Sequence, residues 1–242
     1  MQLHRKIQKL ATGEAWASSV DRFYRWRRPL NVQELLRDID QRKLDIVCQK
    51  YHVPGEVKAW PKYTNVGPWI ENAVQHVRSL RLDRGPKLSI LDIGSGAGYF
   101  LFVLKRLGHK VFGLDLDEPK FYSEMFELLG LERAIWRIEA FQPLPSIART
   151  FDLVTAFAVC FNGHGSDKVW GPKEWEFFLD DLSDRYLNPR GRVVLALNPE
   201  PYGRYTPELR DFFIHRGAAI ERNRIWIPKS RLRAARTHSA SN

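Results

Sequence analysis

Residues 88–98 read LSILDIGSGAG. An apolar run ends in the acidic Asp92. Gly94, Gly96 and Gly98 follow at alternate positions, and an apolar-periodic segment opens at Tyr99. This is the pattern of a buried strand, a tight turn and a helix start. Glycines in such a turn let a ligand approach bare backbone that a side chain would block. They also bring it to the positive end of a helix. A chain with this segment has to supply a sheet that buries the strand and leaves its carboxyl end open.

The rest of the sequence supplies one. After residues 88–93, strand patterns at 110–116, 134–139, 151–159 and 191–197 alternate with helical patterns at 99–107, 120–129, 172–187 and 207–215. Alternation of this kind predicts an α/β fold with a doubly wound, mostly parallel sheet. Right-handed crossovers then gather the strand carboxyl ends along one edge, where ligands bind. Residues 218–227 read as one strand or as a tight hairpin around Asn223. Ahead of the sheet, Val66, Trp69, Ile70, Ala73, Val74, Val77 and Leu80 mark one face of a helix, which Gly85-Pro86 is expected to end. Asn31 with Glu34 fits a capping box for a helix through Gln49. Pro54, Gly55 and Pro61 make residues 51–63 a loop. The expected organisation is an N-terminal helical cap (1–64), a ligand-binding domain (65–228) and a basic, disordered tail (229–242).

Bulk properties narrow the setting. With 242 residues, 44% of them hydrophobic, the chain has material for one large domain and some decoration. It has no apolar run of about 18 residues and no signal-peptide pattern, so a soluble, cytoplasmic protein without membrane contact is expected. Two cysteines, Cys48 and Cys160, make no disulfide framework. The net charge of +10 is carried by the N-terminal region and the tail, while the middle is close to neutral. Such an excess attracts anionic substrates or nucleic acids, and it also describes a solvated surface. Trp16, Phe23, Tyr24 and Trp26 among Arg22, Arg25, Arg27 and Arg28 fit base stacking with phosphate contacts. Their helical spacing favours an amphipathic helix packed on the domain.

The glycine spacing separates two nucleotide sites. A dinucleotide fingerprint needs G-x-G-x-x-G, whereas the third glycine here comes one position early. The next strand, KVFGLDL, ends in Asp115, an acid placed to accept hydrogen bonds from a ribose diol. At these residues the chain resembles the class I S-adenosylmethionine-dependent methyltransferases. The motifs carrying the resemblance are LDIGSGAG, VFGLD, the Leu-Pro link near residue 145, FDLVTAF and the turn Leu187-Asn188-Pro189-Arg190-Gly191 before VVLAL.

The resemblance implies S-adenosylmethionine as the cofactor and a methyltransferase-like fold. It implies that Asp92, Gly94, Gly96 and Gly98 line the methionine end, that Asp115 binds the ribose, and that Glu139 lies near the adenine. Phe157 and Ala158 fall where the fourth strand opens beside the methyl group. No metal is expected. Methyl transfer from a sulfonium needs orientation and water exclusion rather than covalent catalysis, and a base only if the nucleophile arrives protonated. His164, in the loop 160–170, is the candidate base. No Asp/Asn-Pro-Pro-aromatic motif follows the fourth strand, which argues against adenine-N6 or glutamine acceptors. The expected acceptor is a small or sugar-like molecule methylated at oxygen or nitrogen. The alternatives are a nucleic acid held by the basic N-terminus, or a non-catalytic module that binds the cofactor and recruits an anionic partner.

Overall fold

The computed structural model describes residues 30–54 and 60–234. The aromatic and arginine group at Trp16–Arg28 lies outside the described residues. Two short helices come first, α1 (Val32–Arg37) and α2 (Gln41–Tyr51), then a 3-10 turn at Trp60–Thr64 and α3 (Val66–Ser79). The alternating part follows: β1 (Ser89–Ile93), α4 (Tyr99–Arg106), β2 (Lys110–Asp115), α5 (Phe121–Leu128), β3 (Arg133–Ile135) and β4 (Phe151–Val159). The chain continues through α6 (Pro172–Asp181), β5 (Leu187–Leu197), α7 (Pro207–His215), β6 (Ala219–Glu221), β7 (Arg224–Pro228) and α8 (Lys229–Ala234).

Among the described residues seven strands form one sheet in the order β3-β2-β1-β4-β5-β7-β6. β1 to β5 pair in parallel, and β7 runs antiparallel to both β5 and β6. β1 lies between β2 and β4, and Ile90, Leu91 and Ile93 are fully buried. A strand covered on both faces has to be apolar on both, which is why SILDI does not alternate. Side chains of α3, α4 and α5 build one core, and those of α6 and α7 with Leu232 build the other.

Several boundaries differ from the sequence pattern. The helix expected from Asn31 to Gln49 is two helices. Asn31 caps the first by accepting from the Gln33 N–H at 2.9 Å, and Asp40 caps a second by accepting from the Lys43 N–H at 3.1 Å. A second good cap inside a helical pattern offers the backbone an alternative to continuation. Ile39 is buried at the break. α3 ends at Ser79, before Gly85-Pro86. Arg81 takes a left-handed φ of 58° while the Arg81 and Leu82 amides bond back to the Arg78 and Val77 carbonyls at 3.1 and 2.9 Å. That is a Schellman stop with Leu82 buried beneath it. The loop expected over 51–63 closes in the 3-10 turn. The helix expected over 172–187 ends in a π turn at Leu182–Tyr186. β5 starts four residues early, and its register against β4 jumps between Phe151 and Leu153. The closing segment is a hairpin, with Arg222 left-handed at its turn.

The tail expected to be disordered from Lys229 begins as α8. Leu232 is 1% exposed in the core. The buried Lys229 ammonium donates to the Leu187 carbonyl at 2.5 Å. A lone apolar residue among arginines gives no periodic signal, so composition alone hides this anchor. The cap helices are tied down by pairs across the chain. Asp38 meets Arg106 at 2.6 Å, and Glu124 accepts from Lys50 at 2.6 Å and Tyr51 at 2.7 Å. Among the described residues, no helix is long and apolar enough to cross a membrane.

Candidate functional site

The glycine turn sits at the carboxyl end of β1 and leads into α4. Gly98 is the residue before α4, with φ 79°. A Cβ there would lie 2.7 Å from Leu131 Cδ1 and 2.8 Å from Phe126 Cε2. Conformation and space therefore both require glycine at 98. Gly96 also has a positive φ, 54°, but open space where a side chain would project.

Asp115 ends β2 beside this turn. Its two oxygens accept from the Gly96 N–H at 2.6 Å and the Leu116 N–H at 2.7 Å. Burial pushes its carboxyl above the usual range, against those two bonds and the charge of Arg133. The Arg133 side chain is largely covered and holds the loop after β2, donating to the Leu116 carbonyl at 3.1 Å, Asp117 at 2.7 Å and Ser123 at 2.6 Å. Asp92 is 5% exposed and accepts from Thr155 Oγ1 at 2.6 Å. Burial, with a smaller contribution from the Asp115 charge, raises Asp92 to about 7.

Two cavities meet over this turn. One, about 440 Å³, runs along Leu114–Leu116, Tyr122, Trp136–Ile138 and Val159–Phe161. The other, about 390 Å³, lies between α3, Asp92, the start of α4, the end of β5, Arg204 and the hairpin turn at Asn223. Tyr63, Gly94, Gly96, Phe157 and Ala158 line both. Phe157 and Ala158 can do so because β4 shifts register between Phe157 and Val159, and Ala158 adopts a φ of 50°. An extra residue at a strand end re-aims its neighbours.

Of the residues singled out from the sequence, Asp92, Gly94, Gly96, Asp115, Phe157 and Ala158 lie on these linings. Gly98 is behind them. Glu139 is exposed and on neither lining, whereas its neighbours Trp136, Arg137 and Ile138 are on the larger one. β3 stops at Ile135, and no helix forms between it and β4, so the chain past Ile138 turns away from the edge. His164 is on neither lining. Its Nδ1 is 2.6 Å from Glu200 Oε1, and Glu200 also accepts from the Gly165 N–H at 3.4 Å. Cys160 lines the larger cavity; burial raises its thiol, which disfavours thiolate chemistry.

Sequence reasoning passed over His76 and Arg204. The His76 ring packs on Phe157 with centroids 4.7 Å apart, and its Nδ1 is buried without a partner. Burial and then the charge of Arg224 push it down to about 4, so it is neutral at pH 7. It sits on the α3 stripe between residues that read as core, and only the register of β4 brings it to the cavity. Tyr63 packs on Trp69 at 4.5 Å, and its carbonyl accepts from the Tyr99 hydroxyl at 2.6 Å.

The sheet order, the glycine turn and an acid ending β2 define a class I methyltransferase-type fold, and residues 91–195 match the family described as Methyltransferase domain. Over those residues the chain is similar to that family. Among solved structures it is similar to an amino pentose methyltransferase from Micromonospora echinaspora, at 25% identity over 57% of this chain and 54% of that one, TM-score 0.42. It is similar to a TehB-like methyltransferase from Corynebacterium glutamicum, at 20% identity over 66% and 96%, TM-score 0.42. A ribosomal protein L11 methylase from Lactobacillus delbrueckii is similar at 17% identity over 68% and 78%, TM-score 0.40. The chain spans about half the length of the amino pentose enzyme. No curated protein sequence matches it.

Proposed function

We propose that the chain transfers a methyl group from S-adenosylmethionine to a small molecule at oxygen or nitrogen. The observation that carries this reading is the pair of cavities joined at Gly94, Gly96, Phe157 and Ala158. One has Asp115 on its wall and the other has Asp92, so a ligand with a ribose at one end and an ammonium at the other spans the join.

The residues present fit that cofactor. Each Asp115 oxygen uses one lone pair on a backbone amide and keeps another for a ribose hydroxyl. Asp92 ionises more readily opposite an ammonium. Bound there, S-adenosylmethionine supplies an activated methyl group on a positively charged sulfur. The protein's own work is orientation and water exclusion. Phe157 and Ala158 form the common wall, and Trp69, Phe100 and His76 close the acceptor side with rings. His164, held by Glu200 away from both linings, carries no step in this reading.

Incubation with methyl-labelled S-adenosylmethionine and fractionated cell extract tests the proposal. Label is expected in a small-molecule fraction. Label confined to RNA or protein, or S-adenosylmethionine binding without turnover on any fraction, overturns it in favour of a nucleic-acid or protein acceptor or of a binding module.

A further inference from the structure

The smaller cavity has a lopsided charge. Among the described residues Asp92 is the one carboxylate on its lining, and it lies against Thr155. Arg204 is on the same lining. Among the described residues its guanidinium donates to the Leu197 carbonyl at 2.6 Å and pairs with no carboxylate. Glu200, four residues before it, is taken by His164 and the Gly165 amide. Arg224 on β7 is off this lining, and its charge adds to burial in keeping the His76 ring neutral. The remaining wall is aromatic: Trp69, Phe100 and Phe157.

A guanidinium with free donors on an aromatic, partly enclosed wall is suited to a planar anion. We propose that the acceptor is a small ring-bearing acid, its ring held by the aromatic wall and its anionic group by Arg204. The proposal rests on the methyl-transfer reading and names the acceptor class for the same site. Arg204 would then be a specificity residue, selecting acids over neutral or cationic molecules of equal shape.

Three shape-matched probes separate charge from fit: benzoate, benzamide and benzylamine, titrated into protein saturated with S-adenosylhomocysteine. Benzoate is expected to bind at least about tenfold more tightly than the other two. Arg204→Gln is expected to erase that preference and leave S-adenosylhomocysteine affinity within about threefold. Asn223→Asp places a negative charge on the same wall from an exposed turn. It is expected to weaken benzoate without touching Arg204. Absence of benzoate binding, equal binding of the three, or preference for benzylamine overturns the proposal. So does a tenfold loss of S-adenosylhomocysteine affinity in Arg204→Gln, which would assign Arg204 to the cofactor's own carboxylate. Failure of the unmutated protein to bind S-adenosylhomocysteine overturns the methyl-transfer reading instead.

Discussion

Asp92 is buried in the sheet centre with Thr155 as its hydrogen-bond donor, and burial lifts its carboxyl from 3.8 to about 7. The folded state thus resists ionisation that the unfolded chain allows. The proton is kept on folding between about pH 4 and 7, so stability falls as pH rises through that window. Asp92→Asn is expected to be more stable than the parent at pH 8 by about 1–3 kcal/mol, converging near pH 4. Denaturant titrations at the two pH values check this, and equal midpoints at pH 8 would contradict it. The same carboxyl has to release its proton to meet an ammonium. S-adenosylhomocysteine affinity is therefore expected to rise with pH up to about 7 and then level off. On the proposed function, Asp115→Ala removes a ribose partner together with the acceptor for the Gly96 amide. A loss of about 1–3 kcal/mol in S-adenosylhomocysteine binding is expected by calorimetry. The two glycines should separate: Gly98→Ala meets Leu131 and Phe126 and loses about 2–4 kcal/mol of stability. Gly96→Ala has open space and loses about 1–2 kcal/mol.

At the level of elements, β4 and α7 fall where the pattern puts them, because period and end signals agree there. Phe151–Val159 is a long apolar run, and Thr206 with Pro207 marks the start of α7, Thr206 accepting from the Leu209 N–H at 3.1 Å. What was hidden depends on tertiary partners. The early start of β5 relies on Asn188 donating to Asp152 at 2.7 Å and on Lys229 reaching Leu187, contacts between residues far apart in sequence. α8 is visible only through Leu232. Leu232→Ala is expected to cost about 2–4 kcal/mol, whereas Ser230→Ala, on the exposed side, should stay within about 0.5 kcal/mol. Matching losses in the two variants would contradict the anchoring role of α8. At the site, the glycine turn and Asp115 were readable because their chemistry and spacing are local. His76 and Arg204 were not, because only sheet registry and the return of the chain after β5 bring them to the cavity.

Across the whole molecule, ligand occupancy should register as stability, because a cavity walled by β1, β2, β4 and β5 has no counterpart in the unfolded chain. S-adenosylhomocysteine at about a hundred times its dissociation constant is expected to add about 2.7 kcal/mol to unfolding. An unchanged melting temperature at that concentration would contradict selective binding to the folded state. The two cavities also divide the chain by order of synthesis. The larger one draws on β2, α5 and the segment past β3, with β4 as its far wall. The smaller one adds Asn198 from the end of β5, Arg204 and the hairpin-turn Asn223 to Asp92 of β1 and Asn72 of α3. Those late groups lie on turns that tolerate substitution. Changes there leave Asp115, the glycine turn and the parallel pairing of β1 with β2 intact. On the proposed function, a lineage built on this plan can therefore exchange what it modifies while inheriting unchanged the reagent with which it modifies.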